Sequence, residues 1–238
     1  MKRAIVIGAT SGIGKEIAET LSRNGYKVGI TGRRRELLED IRKRNPDAFI
    51  SKAFDNREYE GIVQNLKELV ESLGGLDLLV ISSGTGKVSE NIDFEIEKNT
   101  ILTNALGFTR IADWAMEYFE NQKNGHLVGI SSIAGLRGNR FSPGYAATKA
   151  FQINYLEGLR HRATHLKFPV YVTDIRPGFV DTAMAQGGTI FWLISVKKAG
   201  KQIYKAIEKK RKVAYISRRW ILFAWLLKLL PLPIHHKI

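Results

Sequence analysis

Three glycines near the start of the chain, Gly8, Gly12 and Gly14, place the strongest constraint on its fold. They follow the apolar run 4–7, which predicts a buried strand, and they open a segment that predicts a helix to about Asn24. Glycine can take a tight turn, allow close backbone approach and let a helix pack closely on a strand. A strand, glycine turn and helix in this order favour an α/β fold.

Apolar runs and amphipathic segments alternate along the rest of the chain. The runs predict strands at residues 4–7, 27–31, 48–53, 77–81, 125–131, 170–175 and 213–216. The segments between them predict further helices over residues 34–44, 56–73, 100–120, 145–166 and 197–212. Apolar strands that alternate with helices indicate a parallel sheet covered on both faces. We therefore predict a single doubly wound, Rossmann-type α/β domain with a seven-stranded parallel sheet.

Length and composition fit one domain and exclude several kinds of site. The 238 residues are enough for one α/β domain with a buried core and too few for two ordinary ones. The absence of cysteine excludes disulfides, thiolate metal sites and a cysteine nucleophile, and it fits a reducing compartment. His161 and His165 have helical spacing, but no carboxylate accompanies them in a metal-binding pattern, so we predict no metal site.

The glycine turn is also typical of a dinucleotide-binding site. The N-terminus of the helix after it offers N–H groups and a dipole that favour the charge of a pyrophosphate. An ordinary glycine turn without a ligand is the alternative. The second strand ends before Arg33, Arg34 and Arg35, with no acid before Glu36. An acid near this point binds the ribose of NAD, whereas arginine accommodates the 2′-phosphate of NADP. Arg33 and Arg34 therefore favour NADP(H), unless, as we expect of Arg35, they only begin a solvated helix.

A tyrosine and a lysine form a candidate acid–base pair. Tyr145 and Lys149 are four residues apart in a predicted helix and so lie on one face of it. A nearby ammonium lowers the pKa of a phenol by favouring its ionised form. Ser132, thirteen residues before Tyr145, is a further hydroxyl donor. Donors aimed at a carbonyl oxygen stabilise the negative charge that reduction by a nicotinamide builds there.

Taken in this order and at these spacings, the motifs resemble the short-chain dehydrogenase/reductase family over nearly the whole chain. The matching positions are Gly8, Gly12, Gly14, Asp55, 78–84, Asn104, Ser131, Ser132, Tyr145, Lys149 and 177–182. The resemblance implies the Rossmann-type fold and a nicotinamide-dependent oxidoreductase. Two positions depart from the family pattern: Ile7 stands where the family usually has threonine, and Ile-Ser-Ser-Gly at 81–84 where it usually has Asn-Asn-Ala-Gly. These departures affect the cofactor contacts expected near the first and fourth strands, and not the proton-donor residues.

The resemblance implies a role for each catalytic residue. Tyr145 would donate a proton to the substrate oxygen, and Lys149 would bind the nicotinamide ribose and lower the pKa of Tyr145. Ser132 would polarise the carbonyl, and Asn104 would hold a water that links Lys149 to solvent. Each residue also has a structural alternative: a serine that ends a strand, an asparagine bonded within its helix, an exposed helix lysine.

The same resemblance implies a set of cofactor contacts. Asp55 would accept from the adenine amino group, and Thr182 with the backbone around Val180 would hold the carboxamide. The predicted cofactor-binding residues are Gly8, Thr10, Ser11, Gly12, Ile13, Gly14, Arg33, Arg34, Asp55, Asn56, Ser83, Gly84, Tyr145, Lys149, Pro177, Gly178, Val180 and Thr182.

The positive charge of the chain is concentrated near its end. Of the net charge of +14, residues 197–238 carry +11, from twelve lysines or arginines and the single acid Glu208, which leaves +3 for the preceding 196 residues. We therefore distinguish an NADP-binding catalytic domain, residues 1–217, from a basic and apolar extension, residues 218–238.

Two apolar segments in the last quarter suggest what the protein contacts. Residues 183–196 occupy the region that closes over the substrate in the resembling family, which indicates an apolar substrate or, equally, side chains packed against the core. Residues 218–230 combine basic ends with tryptophans and leucines, in a run too short to span a bilayer. They predict a helix that lies on an anionic membrane surface or packs on its own domain or a second subunit.

These features predict an NADP(H)-dependent oxidoreductase that acts on a carbonyl or secondary alcohol of a hydrophobic, lipid-like substrate. The alternative is a non-catalytic NADP-binding sensor or scaffold at a membrane surface. Nucleic-acid binding is disfavoured, because the aromatic residues of the extension lie in an aliphatic run instead of alternating with positive charges. We expect a cytoplasmic protein, with peripheral membrane attachment if the extension binds lipid. By analogy with the family, we expect a homodimer or homotetramer.

Overall fold

Seven strands form one parallel sheet in the computed structural model of the chain, which describes residues 1–183, 192–217, 219–229 and 231. The strands are β1 (Lys2–Ile7), β2 (Tyr26–Gly32), β3 (Phe49–Ala53), β4 (Leu78–Ile81), β5 (Gly125–Ile130), β6 (Val170–Pro177) and β7 (Val213–Ile216). Their order in the sheet is β3-β2-β1-β4-β5-β6-β7, and all neighbours are parallel. The predicted doubly wound α/β fold is confirmed.

Helices cover both faces of this sheet. They are α1 (Gly12–Arg23), α2 (Arg35–Arg44), α3 (Tyr59–Leu73), α4 (Phe94–Ile101), α5 (Phe108–Asn121), α6 (Pro143–Thr164), α7 (Val196–Glu208) and α8 (Arg219–Leu229). A π-helical segment, Leu102–Gly107, joins α4 to α5, and a 3₁₀ turn, Ile133–Leu136, follows β5.

Alternate side chains of each strand enter two different cores. In β1, Ala4 and Val6 join the cluster formed with α1, α2 and α7, whereas Ile5 and Ile7 join the cluster formed with α3, α5 and α6. This division follows from the two-residue period of a strand. Because both faces are covered, β1 has no polar side chain from Ala4 to Ile7.

The parallel arrangement brings the ends of all seven strands to one edge of the sheet. The register pairs Ile7 with Ile81 on one side and with Thr31 on the other, so the turns after β1, β2 and β4 lie side by side. Ligands of open α/β sheets bind at this carboxyl edge, where the strand order reverses. In this chain the reversal lies between β1 and β4.

The long helix predicted over residues 100–120 begins earlier than the sequence pattern indicated and is not regular. Helical backbone runs from Phe94 to Asn121 through the π-helical segment. Asp93 caps its start by accepting hydrogen bonds from the backbone N–H groups of Glu95 (2.9 Å) and Ile96 (3.4 Å). The basic helix predicted over 197–212 ends sooner, at Glu208.

Helix α8 lies against the domain through only part of its surface. Trp220 and Ala224 are buried, and the indole of Trp220 packs on Gly178, just after β6. The outward side chains are large and apolar: Ile221, Leu222, Trp225, Leu226 and Leu229. In the part of the chain that the structure describes, no helix combines the length and the apolar character needed to cross a bilayer. The division at residue 217 stays a prediction.

Parts of two predicted segments lie outside the described residues. These are residues 184–191 of the segment predicted to close over the substrate, and residues 218, 230 and 232–238 of the extension.

Candidate active site

The glycine turn after β1 has the geometry that its sequence predicts. Gly8 and Gly12 have φ angles of 84° and 57°, in the region that favours glycine. A Cβ on Gly8 would lie 2.6 Å from the backbone nitrogen of Ser83, and one on Gly14 would overlap the carbonyl oxygen of Gly8. The turn is therefore pressed against the end of β4, and α1 against the turn.

The first turn of α1 is open to a ligand. Ser11 occupies the N-cap position, but its side chain makes no capping hydrogen bond to the helix. The hydroxyls of Ser11 and Thr10 instead accept hydrogen bonds from Nη2 of Arg34, at 2.8 and 2.5 Å. Ile13, the second residue of the helix, packs against the core on the sheet side. The first-turn N–H groups thus face the cleft at the carboxyl edge beside an exposed guanidinium.

The two arginines after β2 point in different directions. Arg34 reaches back over the glycine turn, whereas Nη1 of Arg33 lies 3.9 Å from the carboxylate of Asp55. Asp55 also accepts three hydrogen bonds from the side chain and backbone of Arg57. Desolvation opposes ionisation, but the hydrogen bonds and the charges of Arg57 and Arg33 hold the pKa of Asp55 below its usual value.

Asn56 and Ser83 connect the ends of β3 and β4. Nδ2 of Asn56 donates to the hydroxyl of Ser83 at 3.1 Å and to the carbonyl of Thr103 in the π-helical segment at 3.3 Å. Gly84 follows directly, and a Cβ there would lie 3.5 Å from both Oδ1 of Asn104 and Nζ of Lys149. Gly84 therefore packs against both the amide of Asn104 and the ammonium of Lys149.

Asn104 is fully buried and joins the β4 loop to α6. Its side-chain amide pairs with the backbone of Thr85, with distances of 2.9 and 2.7 Å, and donates to Oγ1 of Thr148 at 3.1 Å. Thr148 lies directly before Lys149 in α6. Asn104 occupies the π-helical segment, a departure from regular helix of the kind often found at functional sites.

The side chains of Tyr145 and Ser132 are hydrogen-bonded to each other. Burial raises the pKa of Tyr145, and a side-chain hydrogen bond with Ser132 acts in the opposite direction. Gly86 packs against the ring of Tyr145, where a Cβ would overlap the ring. The sequence predicted that Lys149 lowers this pKa, but in the structure the loss of hydration outweighs any such effect. Tyr145 is consequently a neutral phenol at physiological pH, which is the proton-donating form.

Lys149 is buried one helical turn beyond Tyr145. Its Nζ donates to the carbonyl of Ile130 at 2.9 Å, at the end of β5, and to Oε1 of Gln152 at 2.8 Å. Burial lowers the pKa of Lys149 to about 7, although the charge of Asp174 acts to raise it. The predicted exposed-lysine alternative is therefore wrong for this side chain, which is 4% exposed.

The turn after β6 completes the cleft on the side opposite β2. Pro177 ends the strand, and the N–H of Gly178 donates to the carbonyl of Ile216 at 2.7 Å. Val180 is buried and forms an isolated bridge with Ile194. A Cβ on Gly12 would lie 3.3 Å from Cγ2 of Thr182, so this turn packs closely against the glycine turn.

Comparison with known proteins places the chain in a family. Residues 2–189 match the model of the short chain dehydrogenases. The chain belongs to the short-chain dehydrogenase family. An uncharacterised oxidoreductase of Myxococcus xanthus is 33% identical over 190 residues, which cover 77% of this chain and 74% of the relative. One of Staphylococcus saprophyticus is 34% identical over 212 residues, or 86% of this chain and 88% of the relative. The names of these two relatives agree with an oxidoreductase of this family.

Solved structures of similar fold agree with this assignment. ElxO with NADP bound has a TM-score of 0.80 at 23% identity and covers 90% of this chain and 96% of its own. The closed form of serine dehydrogenase complexed with NADP⁺ has a TM-score of 0.80 at 24% identity, with 90% and 93% covered. At this level of identity the likeness shows the fold.

Sequence reasoning missed several residues around the active-site cleft of this short-chain dehydrogenase. They are Thr85, Gly86, Thr148 and Gln152. A signal for Gln152 was available, because it lies three residues after Lys149 and therefore on the same face of α6. A signal for Thr148 was not, because its partner Asn104 is 44 residues away in sequence.

Proposed function

We propose that this protein is an NADP(H)-dependent oxidoreductase that interconverts a carbonyl and a secondary alcohol, with Tyr145 as the general acid and base. The observation that carries the proposal is the hydrogen bond between Ser132 and Tyr145 beside a buried Lys149, at the same edge of the sheet as the glycine turn. When bound, the nicotinamide supplies the hydride chemistry.

The residues at the glycine turn fit a dinucleotide. The uncapped first turn of α1 suits a pyrophosphate, and the glycines at positions 8 and 12 take the positive φ angles that the tight turn before this helix requires. The guanidinium of Arg34, held over Thr10 and Ser11, suits a 2′-phosphate. The similar structures described with NADP or NADP⁺ bound support the same cofactor.

Each catalytic side chain has a task that its surroundings support. A neutral Tyr145 donates its proton to the substrate oxygen, and Ser132 donates a second hydrogen bond to the same atom. Lys149 holds its ammonium 5.7 Å from the ring of Tyr145, in a position fixed by the carbonyl of Ile130. Asn104 keeps the β4 loop and α6 at a constant separation through its bonds to Thr85 and Thr148.

The surroundings of the cleft favour an apolar substrate. Phe179, Trp192 and Leu193 expose 40%, 42% and 44% of their surface beside the turn that follows β6. The rings of Phe179 and Trp192 both pack edge-on against Trp220 of α8, with centroids 5.5 Å apart. An alkyl chain that enters here would cover exposed apolar surface, at about 25 cal/mol for each Å² removed from water.

A screen of NADPH oxidation over aldehydes and ketones of increasing chain length tests the proposal. We expect kcat/KM to rise with chain length, and Tyr145→Phe to lower kcat by about 10²–10⁴-fold because it removes the general acid. The melting temperature and NADPH fluorescence in the variant should stay those of the wild type, which separates lost chemistry from lost binding. Turnover that survives Tyr145→Phe would refute the assigned acid.

A non-catalytic NADP sensor or scaffold is the alternative function. A binder needs the glycine turn and Arg34 but has no use for a hydroxyl pair and a buried lysine. Cofactor binding without turnover of any carbonyl or alcohol, in wild type and Tyr145→Phe alike, would favour this alternative.

We also propose that the outward face of α8 attaches the enzyme to an anionic membrane surface. Leu222, Trp225, Leu226 and Leu229 are between 58% and 78% exposed, an unusual run of large apolar side chains on one helix. The exposed Arg219 lies at the start of the helix, and the chain around it is strongly basic. Exposed tryptophan and leucine with flanking basic residues are typical of helices that lie in a membrane interface.

Vesicle co-sedimentation tests this attachment. Wild-type protein should sediment with vesicles that contain phosphatidylserine, less with phosphatidylcholine alone, and less at high salt. The double variant Leu222→Asp, Trp225→Glu should lose binding, whereas Ile92→Asp, at a residue 85% exposed elsewhere on the surface, should not. If the double variant instead dissociates an oligomer, and wild type ignores vesicles, α8 is a subunit interface and the membrane proposal is wrong.

A further inference from the structure

A buried amide bridges two groups of the candidate active site. Oε1 of Gln152 accepts from Nζ of Lys149 at 2.8 Å, and Nε2 of Gln152 donates to the backbone carbonyl of Asn104, also at 2.8 Å. Gln152 and Asn104 are fully buried and Lys149 is 4% exposed. Gln152 thus connects Lys149 by direct protein contacts to Asn104, the residue to which the family resemblance assigns a water linked to Lys149.

The amide can occupy this position in one orientation only. The reverse orientation would place the NH₂ group against an ammonium and the oxygen against a carbonyl, which leaves donor facing donor and acceptor facing acceptor. The bridge is therefore specific for glutamine at this position. Glutamate could accept from Lys149 but could not donate to Asn104 when ionised, and an apolar residue could do neither.

Few charged groups surround the lysine. The described titratable groups near it are Tyr145 on its own helix, whose ring centre is 5.7 Å from Nζ, and Asp174 on β6, which is itself paired with Arg176. On the β4 side it faces Gly84, and on the β5 side the carbonyl of Ile130. Among the residues that the structure describes, Gln152 and the carbonyl of Ile130 are the direct oxygen acceptors that stabilise the ammonium.

We propose that Gln152 is a positioning residue that holds the Lys149 ammonium in the active site through a dry bridge to the carbonyl of Asn104. This inference rests on the proposed function of Lys149 and Tyr145. A carboxamide holds both partners but does not pass a proton between them, because its N–H is not acidic at physiological pH. The bridge therefore holds the ammonium of Lys149 in place. It also prevents proton transfer between Lys149 and the carbonyl of Asn104.

Two substitutions separate this role from packing. Gln152→Leu conserves volume but leaves the ammonium and the Asn104 carbonyl without this partner. Gln152→Ala removes the amide but opens a polar space where a water can bind both groups. If Gln152 acts through its hydrogen bonds, kcat/KM should be about tenfold or more higher in the alanine variant than in the leucine variant. If it only fills space, the order should be reversed, because volume-conserving substitutions are tolerated best.

A titration of Lys149 in the cofactor-free protein gives a readout that does not depend on turnover. Lysines labelled with ¹³C at Cε would be followed by NMR from pH 5 to pH 10, with the signal of Lys149 assigned by its loss in Lys149→Arg. Gln152→Leu should shift the midpoint to lower pH because it removes an acceptor from the charged form. Gln152→Glu should shift it to higher pH because it adds a negative charge.

Thr173→Val is the matched control for the loss of a buried hydrogen bond. Thr173 is fully buried in β6, and its hydroxyl is bonded to His126 at 2.8 Å. This variant should lower the melting temperature without changing the Lys149 midpoint or the order of activities.

The outcomes distinguish the two proposals. Opposite shifts of the Lys149 midpoint in the leucine and glutamate variants support the bridge, even if no carbonyl substrate is turned over, in which case the proposed function alone fails. The same midpoint in wild type and both variants overturns the bridge, as does an activity of Gln152→Leu above that of Gln152→Ala, whatever the result for Tyr145→Phe.

Discussion

Nζ of Lys149 lies 5.7 Å from the centre of the Tyr145 ring, one turn further along α6. Both side chains have lost hydration, and this loss shifts their pKa values in opposite directions. Burial favours the neutral form of each, so it raises the pKa of the phenol and lowers that of the ammonium to about 7. We therefore expect Lys149, and not Tyr145, to change charge within the physiological range.

This relationship predicts the pH dependence of reduction. The pH profile of kcat/KM with NADPH as the varied substrate reports the ionisations of the free enzyme. We expect kcat/KM to fall above about pH 7, by up to about tenfold for each pH unit, as Lys149 loses its proton. Lys149→Met should give a low rate with no such decline. A wild-type profile that stays level from pH 6 to pH 9 would contradict this assignment of the charge change.

Arg34 predicts the choice between the two nicotinamide cofactors. Its guanidinium is held over the glycine turn by Thr10 and Ser11, whereas Arg33 is paired with Asp55. Removal of hydrogen bonds to a charged phosphate costs about 1.5–3 kcal/mol. Arg34→Ala should therefore raise the KM for NADPH by about 10–100-fold and leave that for NADH nearly unchanged.

The neighbouring arginine provides the control for this measurement. Arg35 is exposed, begins α2 and has the same charge. Arg35→Ala should change neither KM by more than about twofold, as expected of a surface charge away from the ligand. Equal effects of the two substitutions on NADPH would mean that general positive charge, and not a defined phosphate site, sets the preference.

The fold was predictable because local signals agreed with one another. Apolar runs of four to seven residues, each followed by a helical segment, left a parallel sheet as the consistent arrangement. The glycine turn identified the first of these runs as the strand beside the cofactor site. The start of α4 was missed even though Asp93 followed by Glu95 is a helix-start signal. The exposed apolar residues Ile92 and Phe94 beside it obscured the amphipathic pattern.

The site was predictable as a set of residues but not as a network. Tyr145 and Lys149 follow from helical spacing, and Arg34 from its place after β2. The bonds of Asn104 to Thr85 and of Gln152 to Asn104 depend on a π-helical segment, and no local pattern marks where a helix takes the wider turn. The raised pKa of Tyr145 depends on burial, which is a property of the packed molecule.

Two glycines predict opposite effects of the same substitution. A Cβ on Gly14 would overlap the carbonyl oxygen of Gly8, whereas Gly158, exposed in the middle of α6, has nothing within 4 Å of the corresponding position. Gly14→Ala should lower the free energy of unfolding by about 1–3 kcal/mol through overpacking of backbone. Gly158→Ala should raise it by roughly 0.5–1 kcal/mol, because alanine loses less conformational entropy in a helix. Urea denaturation of the two variants measures both, and destabilisation by Gly158→Ala would contradict the open surroundings found for that residue.

His126 predicts how stability changes in acid. It is 1% exposed in β5, and its Nε2 lies 2.8 Å from Oγ1 of Thr173. Burial, with a smaller effect of the charge of Lys210, lowers the pKa of His126 from 6.5 to about 3. Between these two values the unfolded chain binds a proton at this site that the folded protein does not. The free energy of unfolding therefore falls as the pH falls, and the contribution is complete only above about pH 6.5.

His126→Gln isolates this contribution, because glutamine can keep a hydrogen bond to Thr173 but does not titrate. From pH 7 to pH 4.5 the wild type should lose about 2–3 kcal/mol more stability than the variant, while the carboxylates that titrate in this range are common to both. Urea denaturation at the two pH values gives the four free energies needed. If wild type and variant lose the same amount, His126 is hydrated or protonated in the folded state, and its buried position in β5 would have to be abandoned.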